Sequence, residues 1–340
     1  MASTLPTTTA VMRAVLKTGP GKGAVEVSTV PVPQTVPGTA RVRVVATGIC
    51  GTDVHIARDE YASEPPVVMG HEITGVVDEV GSGEDQHWVG TRVALETYFS
   101  ACERCAWCRA GRRNLCPARR SIGSYEHGGF AEYVVVPVLN LHALPAWLGE
   151  HEGALCEPLA CVAQCLMDPP AVQPGDRVLV TGPGAMGQLC AQVALAHGGV
   201  VTLAGLPQDS DRLAVAAALG IETTTEAAEA GAYDVVIEAS GAAPAAAMAL
   251  RAARRGGRYV QVGIFGAPVT VDLDQVLYKE LVMTSGFAST ATSWASAVRL
   301  LEDRRVTLAP LVTQRFALTD FHAALASAQR GEGLKTVVVP

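Results

Sequence analysis

The sequence predicts an α/β protein in which a β-rich region precedes a doubly wound parallel sheet. In the first region, short alternating runs such as ARVRVVATG and ITGVVDEVG are typical of antiparallel strands. Further along, strand-like runs such as VLVTG and YDVVIEAS alternate with alanine-rich helical segments such as DSDRLAVAAALG. This alternation indicates parallel strands with helices on both faces of the sheet. With 340 residues, the chain is long enough for two separate cores.

Changes in composition divide the chain into three parts. We predict a β-rich catalytic domain over residues 1–160 and a parallel-sheet domain over 161–301. The last segment, 302–340, ends in the strand-like TVVVP and is expected to return to the first domain. The first residues, MASTLPTTTAVMR, lack the basic, apolar and cleavage regions of a signal peptide, and they are interpreted as a loose leader.

Charge and hydropathy argue against two classes of partner. The net charge of −7 disfavours nucleic-acid binding, which depends on neutralising phosphates. Residues 178–208 carry no Asp, Glu, Lys or Arg, but glycines and prolines interrupt them repeatedly. This stretch therefore predicts a strand, a turn, a helix and a second strand rather than a membrane span.

Four cysteines within fifteen residues form the most specific motif of the chain. Cys102, Cys105, Cys108 and Cys116 have the spacing C-x2-C-x2-C-x7-C. Four thiolates at such spacing can complete a tetrahedral shell around Zn²⁺, which indicates a structural zinc site. The alternatives are disulfides or unrelated buried cysteines. Because several of the nine cysteines have the pattern of thiolate ligands, we expect a reducing compartment, the cytoplasm.

The remaining cysteines and the arginines around the cysteine motif have simpler interpretations. The remaining cysteines lie among apolar residues and are interpreted as small core side chains: Cys156, Cys161, Cys165 and Cys190. Arginines concentrate around the cysteine motif: Arg104, Arg109, Arg112, Arg113, Arg119 and Arg120. We interpret this arginine cluster as a solvated face or a subunit contact, with phosphate binding as the alternative.

A glycine-rich turn predicts a dinucleotide site. The segment Gly182-Pro-Gly-Ala-Met-Gly187 follows the strand RVLVT and begins the helix AMGQLCAQVALA. In that context, glycines permit the tight turn and the close approach of a diphosphate to the helix N-terminus. The candidate cofactor-binding residues in this turn are Gly182, Gly184, Ala185, Met186 and Gly187.

The second strand of this region leaves the choice between NAD and NADP open. An acidic residue at its end would bind the ribose hydroxyls of NAD. Here the strand ends near Ala204 and Gly205, and Asp209 is the first acid after it. Because Gly205 stands where an acidic residue would repel a 2′-phosphate, that repulsion is absent. Arg212 either pairs with that phosphate or packs against the following helix.

Two short motifs supply ligands for a second metal. CGTDVH (50–55) and GHE (70–72) bring a thiolate, imidazoles and carboxylates. Each motif has an ordinary interpretation when taken alone. Together with the cysteine motif and the glycine turn, the chain resembles the zinc-dependent medium-chain alcohol dehydrogenases over essentially its whole length. CGTDVH, GHE and CEPLA (156–160) are most similar to the polyol and threonine dehydrogenase branch.

The resemblance implies a GroES-like catalytic domain with a structural zinc lobe over 96–120, followed by a Rossmann domain. It also implies two zinc ions per chain and a homodimer or homotetramer. Cys50 and His71 would bind the catalytic zinc, and Glu72 would be a direct or an exchanging ligand. Glu157 would complete the site because it precedes Pro-Leu-Ala, although a shift of one residue would substitute Cys156.

The resemblance also implies roles in proton transfer. Asp53 would orient the ring of His71. Thr52 would take the proton of the substrate hydroxyl, and His55 would pass it toward solvent. Glu72 is a third residue with an implied catalytic role. The ordinary interpretation of Thr52 and His55 is that they satisfy nearby backbone groups.

The predicted activity is reversible transfer of a hydride between a secondary alcohol of a small polar substrate and NAD(P). The substrate would be a polyol, a cyclitol or an amino-alcohol. One alternative is a simple alcohol or aldehyde dehydrogenase that uses Cys156 as a third thiolate. An alternative of another class is a dinucleotide-binding sensor or structural subunit without catalytic activity.

Overall fold

A computed structural model describes residues 10–340. The first nine residues of the predicted leader lie outside this range. In the part of the chain that the model describes, no helix is long and apolar enough to span a membrane.

The described chain contains α-helices and β-strands in an order that separates two kinds of sheet. The strands are β1 (Val11–Lys17), β2 (Val25–Pro31), β3 (Thr39–Gly48), β4 (Val67–Val68), β5 (Glu72–Val80), β6 (Arg92–Leu95), β7 (Tyr98–Ser100), β8 (Arg120–Ser121), β9 (Tyr133–Pro137), β10 (Leu141–Ala143), β11 (Arg177–Thr181), β12 (Val200–Ala204), β13 (Glu222–Thr224), β14 (Tyr233–Glu238), β15 (Ala253–Gln261), β16 (Val282–Ser285), β17 (Val312–Ala317) and β18 (Lys335–Val339). The helices are α1 (Gly51–Ala57), α2 (Ala106–Arg109), α3 (Cys156–Leu166), α4 (Ala185–Ala196), α5 (Ser210–Ala218), α6 (Ala243–Ala252), α7 (Asp274–Lys279), α8 (Ala291–Glu302) and α9 (Phe321–Gln329).

A mainly antiparallel sheet forms the centre of the first region. Its order is β10-β6-β5-β3-β18-β17, and β9 also pairs with β3. The alternating pattern of β3 places Ala40, Val42, Val44 and Ala46 in the interior. β18 pairs antiparallel with β3, which joins the end of the chain to its beginning.

Six parallel strands form the second sheet, in the order β13-β12-β11-β14-β15-β16. The order reverses between β11 and β14, and ligands of such sheets bind outside the carboxyl ends of the strands at this switch point. The predicted doubly wound sheet is therefore confirmed. The glycine turn follows β11 directly, so it lies at the switch point.

Helix α3 connects the two regions. It contacts α4 and α8 of the second region and also β5 and β6 of the first. The predicted division between residues 160 and 161 falls inside this helix. We keep the division into residues 1–160, 161–301 and 302–340 as a proposal, in which α3 is shared between the two domains.

Candidate active site

The four cysteines of the lobe surround a common point. Their sulfur atoms lie within 4.8 Å of one another. Sγ of Cys108 is 3.9 Å from Sγ of Cys102 and 3.5 Å from Sγ of Cys105. A tetrahedral zinc with bonds of about 2.3 Å separates its sulfurs by about 3.8 Å. All four cysteines are free, so the alternative of disulfides is wrong.

The electrostatics of the lobe also fit a divalent cation. Backbone N–H groups of Arg104 and Cys105 lower the pKa of the Cys102 thiol to about 6. Desolvation, together with the neighbouring sulfurs, raises the pKa of Cys108 to about 12. Four adjacent sulfurs cannot all ionise without a positive charge between them. A bound cation would remove this conflict, and the lobe therefore fits zinc.

A second group of potential ligands lies in the first region. Ligand atoms of Cys50, His71 and Glu72 lie within 4.8 Å of one another. Cys50 ends the turn after β3 and caps α1, while His71 immediately precedes β5. Since β3 and β5 pair with Gly48 opposite Glu72, the two motifs meet at the same end of the sheet. The thiolate, imidazole and carboxylate are typical zinc ligands.

Asp53 links the two predicted ligands. Its Oδ2 accepts a hydrogen bond of 2.9 Å from the backbone N–H of Cys50. Its Oδ1 is buried, has no hydrogen-bond partner among the described residues, and lies 3.7 Å from Nδ1 of His71. A metal on the other ring nitrogen would keep the proton on Nδ1, facing this carboxylate. The orphaned oxygen therefore fits the predicted orienting role of Asp53.

His71 lies in strongly anionic surroundings. Burial lowers the pKa of the ring, but the carboxylate of Asp53 and the sulfur of Cys50 outweigh burial and raise the pKa well above its ordinary value. Such surroundings favour a cation beside the ring. The residues around Cys50 and His71 therefore form an anionic environment that is suited to a metal cation.

Glu72 has a partner that the sequence analysis missed. Nζ of Lys335, in β18, lies 2.8 Å from Oε1 and 2.7 Å from Oε2 of Glu72, and 3.2 Å from the carbonyl of Ile49. Burial lowers the pKa of Lys335, but the charges of Glu72 and Cys50 reverse this effect and raise it. Gly48 is required beside this pair because a Cβ there would overlap Oε2 of Glu72. A charged residue in the apolar run LKTVVVP was the available signal.

Glu157 faces the same site from the first turn of α3. Its Oε1 accepts hydrogen bonds from Oγ1 of Thr97 at 2.9 Å and from Sγ of Cys161 at 3.3 Å. Oε2 of Glu157 accepts no hydrogen bond from any described residue. The carboxylate is outside the group of atoms within 4.8 Å. Burial raises the pKa of Glu72, and the charge of Glu157 adds to that effect.

The two neighbouring cysteines of α3 have different environments. Cys156 is buried in the main hydrophobic cluster, and burial raises its pKa to about 12. Its sulfur is not in either group of potential ligands among the described residues. Cys161 is partly exposed and its thiol donates to Glu157, so its interpretation as a core side chain is wrong. One helical turn separates Glu157 from Cys161, which places both on the same side of α3.

The two predicted proton carriers lie on α1. Oγ1 of Thr52 is 3.6 Å from Sγ of Cys50. The side chain of His55 is 41% exposed, and its Nδ1 lies 2.8 Å from Oε2 of Glu60, another partner that the sequence analysis missed. The structure thus places Thr52 beside a predicted ligand and His55 at the surface.

The glycine turn has the shape that a diphosphate requires. Gly182 has φ of +89°, and a Cβ there would lie 2.6 Å from Cα of Ser240. The side of Gly184 is open, with no atom within 4 Å of a Cβ built there. Gly184 also caps α4, which begins with Ala185 and Met186. A Cβ at Gly187 would collide with the carbonyl of Gly182, so the helix packs tightly on the turn.

A buried carboxylate, that of Glu238, lies beside this turn. Glu238 accepts hydrogen bonds from the backbone N–H groups of Ser240 at 2.8 Å and Gly241 at 3.1 Å. Nε2 of Gln261 donates to its other oxygen at 2.8 Å. Glu238 therefore ties together the loops after β14 and β15, beside the glycine turn. The sequence analysis did not identify this residue.

The end of β12 contains no free acidic group. Oδ2 of Asp209 accepts a hydrogen bond of 2.9 Å from the N–H of Leu206, and it thereby closes the turn after Gly205. Nε of Arg212 donates to the carbonyl of Gly333 at 2.9 Å, and its other nitrogens contact Gly331 and Asp209. These contacts support the packing interpretation of Arg212, and its pairing with a 2′-phosphate stays a prediction.

Comparisons with known proteins agree with this geometry. The family model described as alcohol dehydrogenase GroES-like domain matches residues 36–146, and the model described as zinc-binding dehydrogenase matches 185–303. The chain is 35% identical to a sorbitol dehydrogenase of Halalkalibacterium halodurans, covering 97% of this chain and 99% of that protein. It is 31% identical to a D-arabitol-phosphate dehydrogenase of Enterococcus avium, covering 96% and 97%. A solved zinc-binding dehydrogenase of Sinorhizobium meliloti 1021 bound to NADP superimposes with a TM-score of 0.89, at 31% identity, over 97% of this chain and 100% of that one.

Proposed function

The chain belongs to the zinc-dependent medium-chain alcohol dehydrogenases, and on that premise we propose that it oxidises a secondary alcohol of a polyol, cyclitol or amino-alcohol with NAD or NADP. The observation that carries this proposal is the convergence of Cys50, His71 and Glu72 within 4.8 Å. A non-catalytic dinucleotide-binding protein would not require this group of ligands. The relatives named above act on sorbitol and arabitol phosphate, which supports a substrate rich in hydroxyl groups.

Cys50, His71 and Glu157 are the residues that would hold the catalytic zinc. Glu157 is preferred over Glu72 because both oxygens of Glu72 accept hydrogen bonds from Lys335, whereas Oε2 of Glu157 accepts none from the described residues. Glu72 would act as an exchanging ligand. Cys156 is disfavoured because it packs in the hydrophobic core. When bound, zinc supplies Lewis acidity that lowers the pKa of a substrate hydroxyl, and the dinucleotide supplies the hydride acceptor.

The protein residues position the reactants and move the proton. Asp53 faces the ring of His71 and would orient it, and Lys335 pairs with Glu72. The hydroxyl of Thr52 would accept the substrate proton at Oγ1 while releasing its own hydroxyl proton, and the exposed His55, paired with Glu60, would pass a proton on to solvent. The open side of Gly184 admits the diphosphate to the N-terminus of α4. Because no free carboxylate follows β12, we expect NADP to be accepted as well as NAD.

A homodimer is the assembly that we propose. β16 is the last strand of the six-stranded sheet, so it presents unpaired backbone groups at the edge. Exposed apolar side chains surround it, including Leu277, Tyr278, Val282 and Met283. This combination is suited to pairing with the same strand of a second copy. The nine free cysteines support a reducing compartment such as the cytoplasm.

A substrate panel tests the proposed activity. The zinc-loaded protein would be mixed with polyols, cyclitols, amino-alcohols and simple alcohols, with NAD and NADP in parallel, and absorbance of the reduced nicotinamide would be recorded. Turnover of a polar secondary alcohol is expected with at least one dinucleotide. Turnover confined to simple primary alcohols would favour the alternative dehydrogenase. No turnover despite dinucleotide binding would favour the sensor.

A further inference from the structure

We propose that Arg119 binds an anionic group, a phosphate or a carboxylate, carried by the polar alcohol substrate. This inference rests on the proposed function and specifies its substrate class. The carboxylate and phosphate share the chemistry that a guanidinium recognises, namely two oxygens that accept parallel N–H bonds.

Within the arginine cluster, Arg119 differs from Arg113 and Arg120, which are both paired with carboxylates. Arg113 pairs with Glu103 at 2.9 Å, and Arg120 pairs with Glu64 at 2.8 Å and with Glu126 at 2.5 Å. Arg119 has no carboxylate within 4.0 Å among residues 10–340. Its guanidinium makes one long hydrogen bond, 3.4 Å, to the carbonyl of Cys116. Arg120 is therefore neutralised by carboxylates, whereas its neighbour Arg119 is not.

Aromatic rings hold the guanidinium of Arg119 in place. Its central carbon lies 5.9 Å from the ring centre of Tyr98 and 5.0 Å from that of Phe287. The β7–β8 pair creates this arrangement because Tyr98 is opposite Ser121, close to Arg119 along the chain. Contact with the faces of rings fixes the position of a guanidinium but satisfies none of its five N–H donors in the way an acceptor would. Donors thus remain available for a ligand.

The same rings connect Arg119 to the candidate active site. Thr97, the residue before Tyr98, donates to Glu157. Burial raises the pKa of the Tyr98 phenol, the charge of Arg119 acts against burial, and the charges of Cys161 and Glu157 act with it. Tyr98 is therefore close to Arg119 and also to Glu157 and Cys161.

The second ring belongs to the loop after β16, which packs on α3. The thiol of Cys165 donates to the carbonyl of Gly286 at 3.5 Å, and Nδ2 of Asn114 donates to the carbonyl of Phe287 at 2.8 Å. Phe287 is 47% exposed, so this part of the loop faces solvent. Arg119 therefore lies near three parts of the molecule: the cysteine lobe, the loop after β16 and helix α3, which contains Glu157.

The charge balance at this place favours an anion as the occupant. The negative charge of Glu72 is offset by Lys335, and Glu157 would be offset by a metal. The charge of Arg119 has no such counterpart within 4.0 Å in the described part of the chain. A substrate with its hydroxyl at the metal and its anionic end at Arg119 would supply one. A neutral polyol would leave the cation without a partner.

Matched substrates test this inference. We would measure kcat/KM of the zinc-loaded protein for D-arabitol, D-arabitol phosphate and D-arabinonate, and the affinity for each by calorimetry without dinucleotide. The wild-type protein should prefer one anionic compound. Arg119→Met should lower kcat/KM for that compound at least about tenfold, as loss of a charge-assisted hydrogen bond implies, with little change for D-arabitol. Arg119→Lys should retain part of the preference because it keeps the charge.

Control variants distinguish a substrate contact from a structural contact. Arg113→Met, which removes a lobe arginine already paired with Glu103, should leave the preference unchanged. The inference is overturned if the wild type favours the neutral polyol, or if Arg119→Met lowers activity equally on neutral and anionic compounds. If the wild type oxidises neither these compounds nor any member of the substrate panel described above, the proposed function fails; oxidation of D-arabitol without any anion preference refutes only the role of Arg119.

Discussion

Nζ of Lys335 lies 2.8 and 2.7 Å from the two carboxylate oxygens of Glu72, the residue that follows the predicted metal ligand His71. The side chains of Lys335 and Glu72 are 8% and 3% exposed. The last strand of the chain thus supplies the counter-charge for a carboxylate at the candidate active site. Under our proposal, Glu157 is therefore the carboxylate that would bind the catalytic zinc.

Lys335→Met should destabilise the protein. Removing one partner leaves the Glu72 carboxylate buried without a counter-charge, which costs about 3–5 kcal/mol in the free energy of unfolding. Denaturation with urea measures this change. Adding Glu72→Gln to Lys335→Met should restore part of the loss, and Lys22→Met at an exposed position should change little. Equal effects of Lys335→Met and Lys22→Met would contradict the pairing.

Substitutions at Glu157 and Cys156 should separate the two candidate ligands. Glu157→Ala should lower the affinity for the catalytic zinc, because it removes Oε2, which accepts no hydrogen bond from the described residues and is free to bind the metal. Cys156→Ala should keep two zinc ions and lose only core packing. Zinc content after dialysis against a weak chelator measures both variants. Loss of zinc in Cys156→Ala alone would show that the shifted assignment is the right one.

Gly184→Ala should weaken dinucleotide binding without disturbing the fold. No atom lies within 4 Å of the added methyl group, and the φ of Gly184 is −69°, so alanine fits the turn itself. The methyl group would instead occupy the space expected for the diphosphate. We expect the Kd for NAD or NADP to rise at least about tenfold with an unchanged melting temperature. Gly83→Ala, also in open space, is the control, and an unchanged Kd in Gly184→Ala would argue against this binding mode.

Zinc in the cysteine lobe should resist mild acid. Backbone N–H groups lower the pKa of Cys102 to about 6, so its thiolate persists at neutral pH and is lost as the pH falls through that value. Protons then compete with the metal for sulfur. Metal analysis after dialysis between pH 8 and pH 4 should show the structural zinc retained at neutral pH and released only as stronger acid protonates the thiolates. Release already at pH 8 would contradict the four-thiolate site.

Sequence reasoning was most successful where the chemistry is local. The four lobe cysteines lie within fifteen residues, so spacing alone indicated a common metal. The glycine turn is likewise contiguous, and its position between β11 and α4 follows from neighbouring segments. The family and the doubly wound sheet could be predicted for the same reason: each motif consists of residues that are close together in the sequence.

Contacts between distant segments were not predictable in this way. Lys335 and Glu72 are separated by 263 positions, and the pairing of β18 with β3 brings them together. Cys161 has apolar neighbours in sequence, so its position beside Glu157 became evident only with helix α3 in place. The cluster of arginines around the lobe gave no indication of which members pair with carboxylates, or that Arg119 packs against Tyr98 and Phe287.

The most direct test of the central claim combines metal content with turnover. The wild-type protein should hold two zinc ions per chain and reduce NAD or NADP with a polar secondary alcohol. Cys50→Ala should retain one zinc ion, in the cysteine lobe, and lose turnover while still binding the dinucleotide. If Cys50→Ala keeps both zinc ions, or oxidises the alcohol at the wild-type rate, the catalytic metal site described above is wrong.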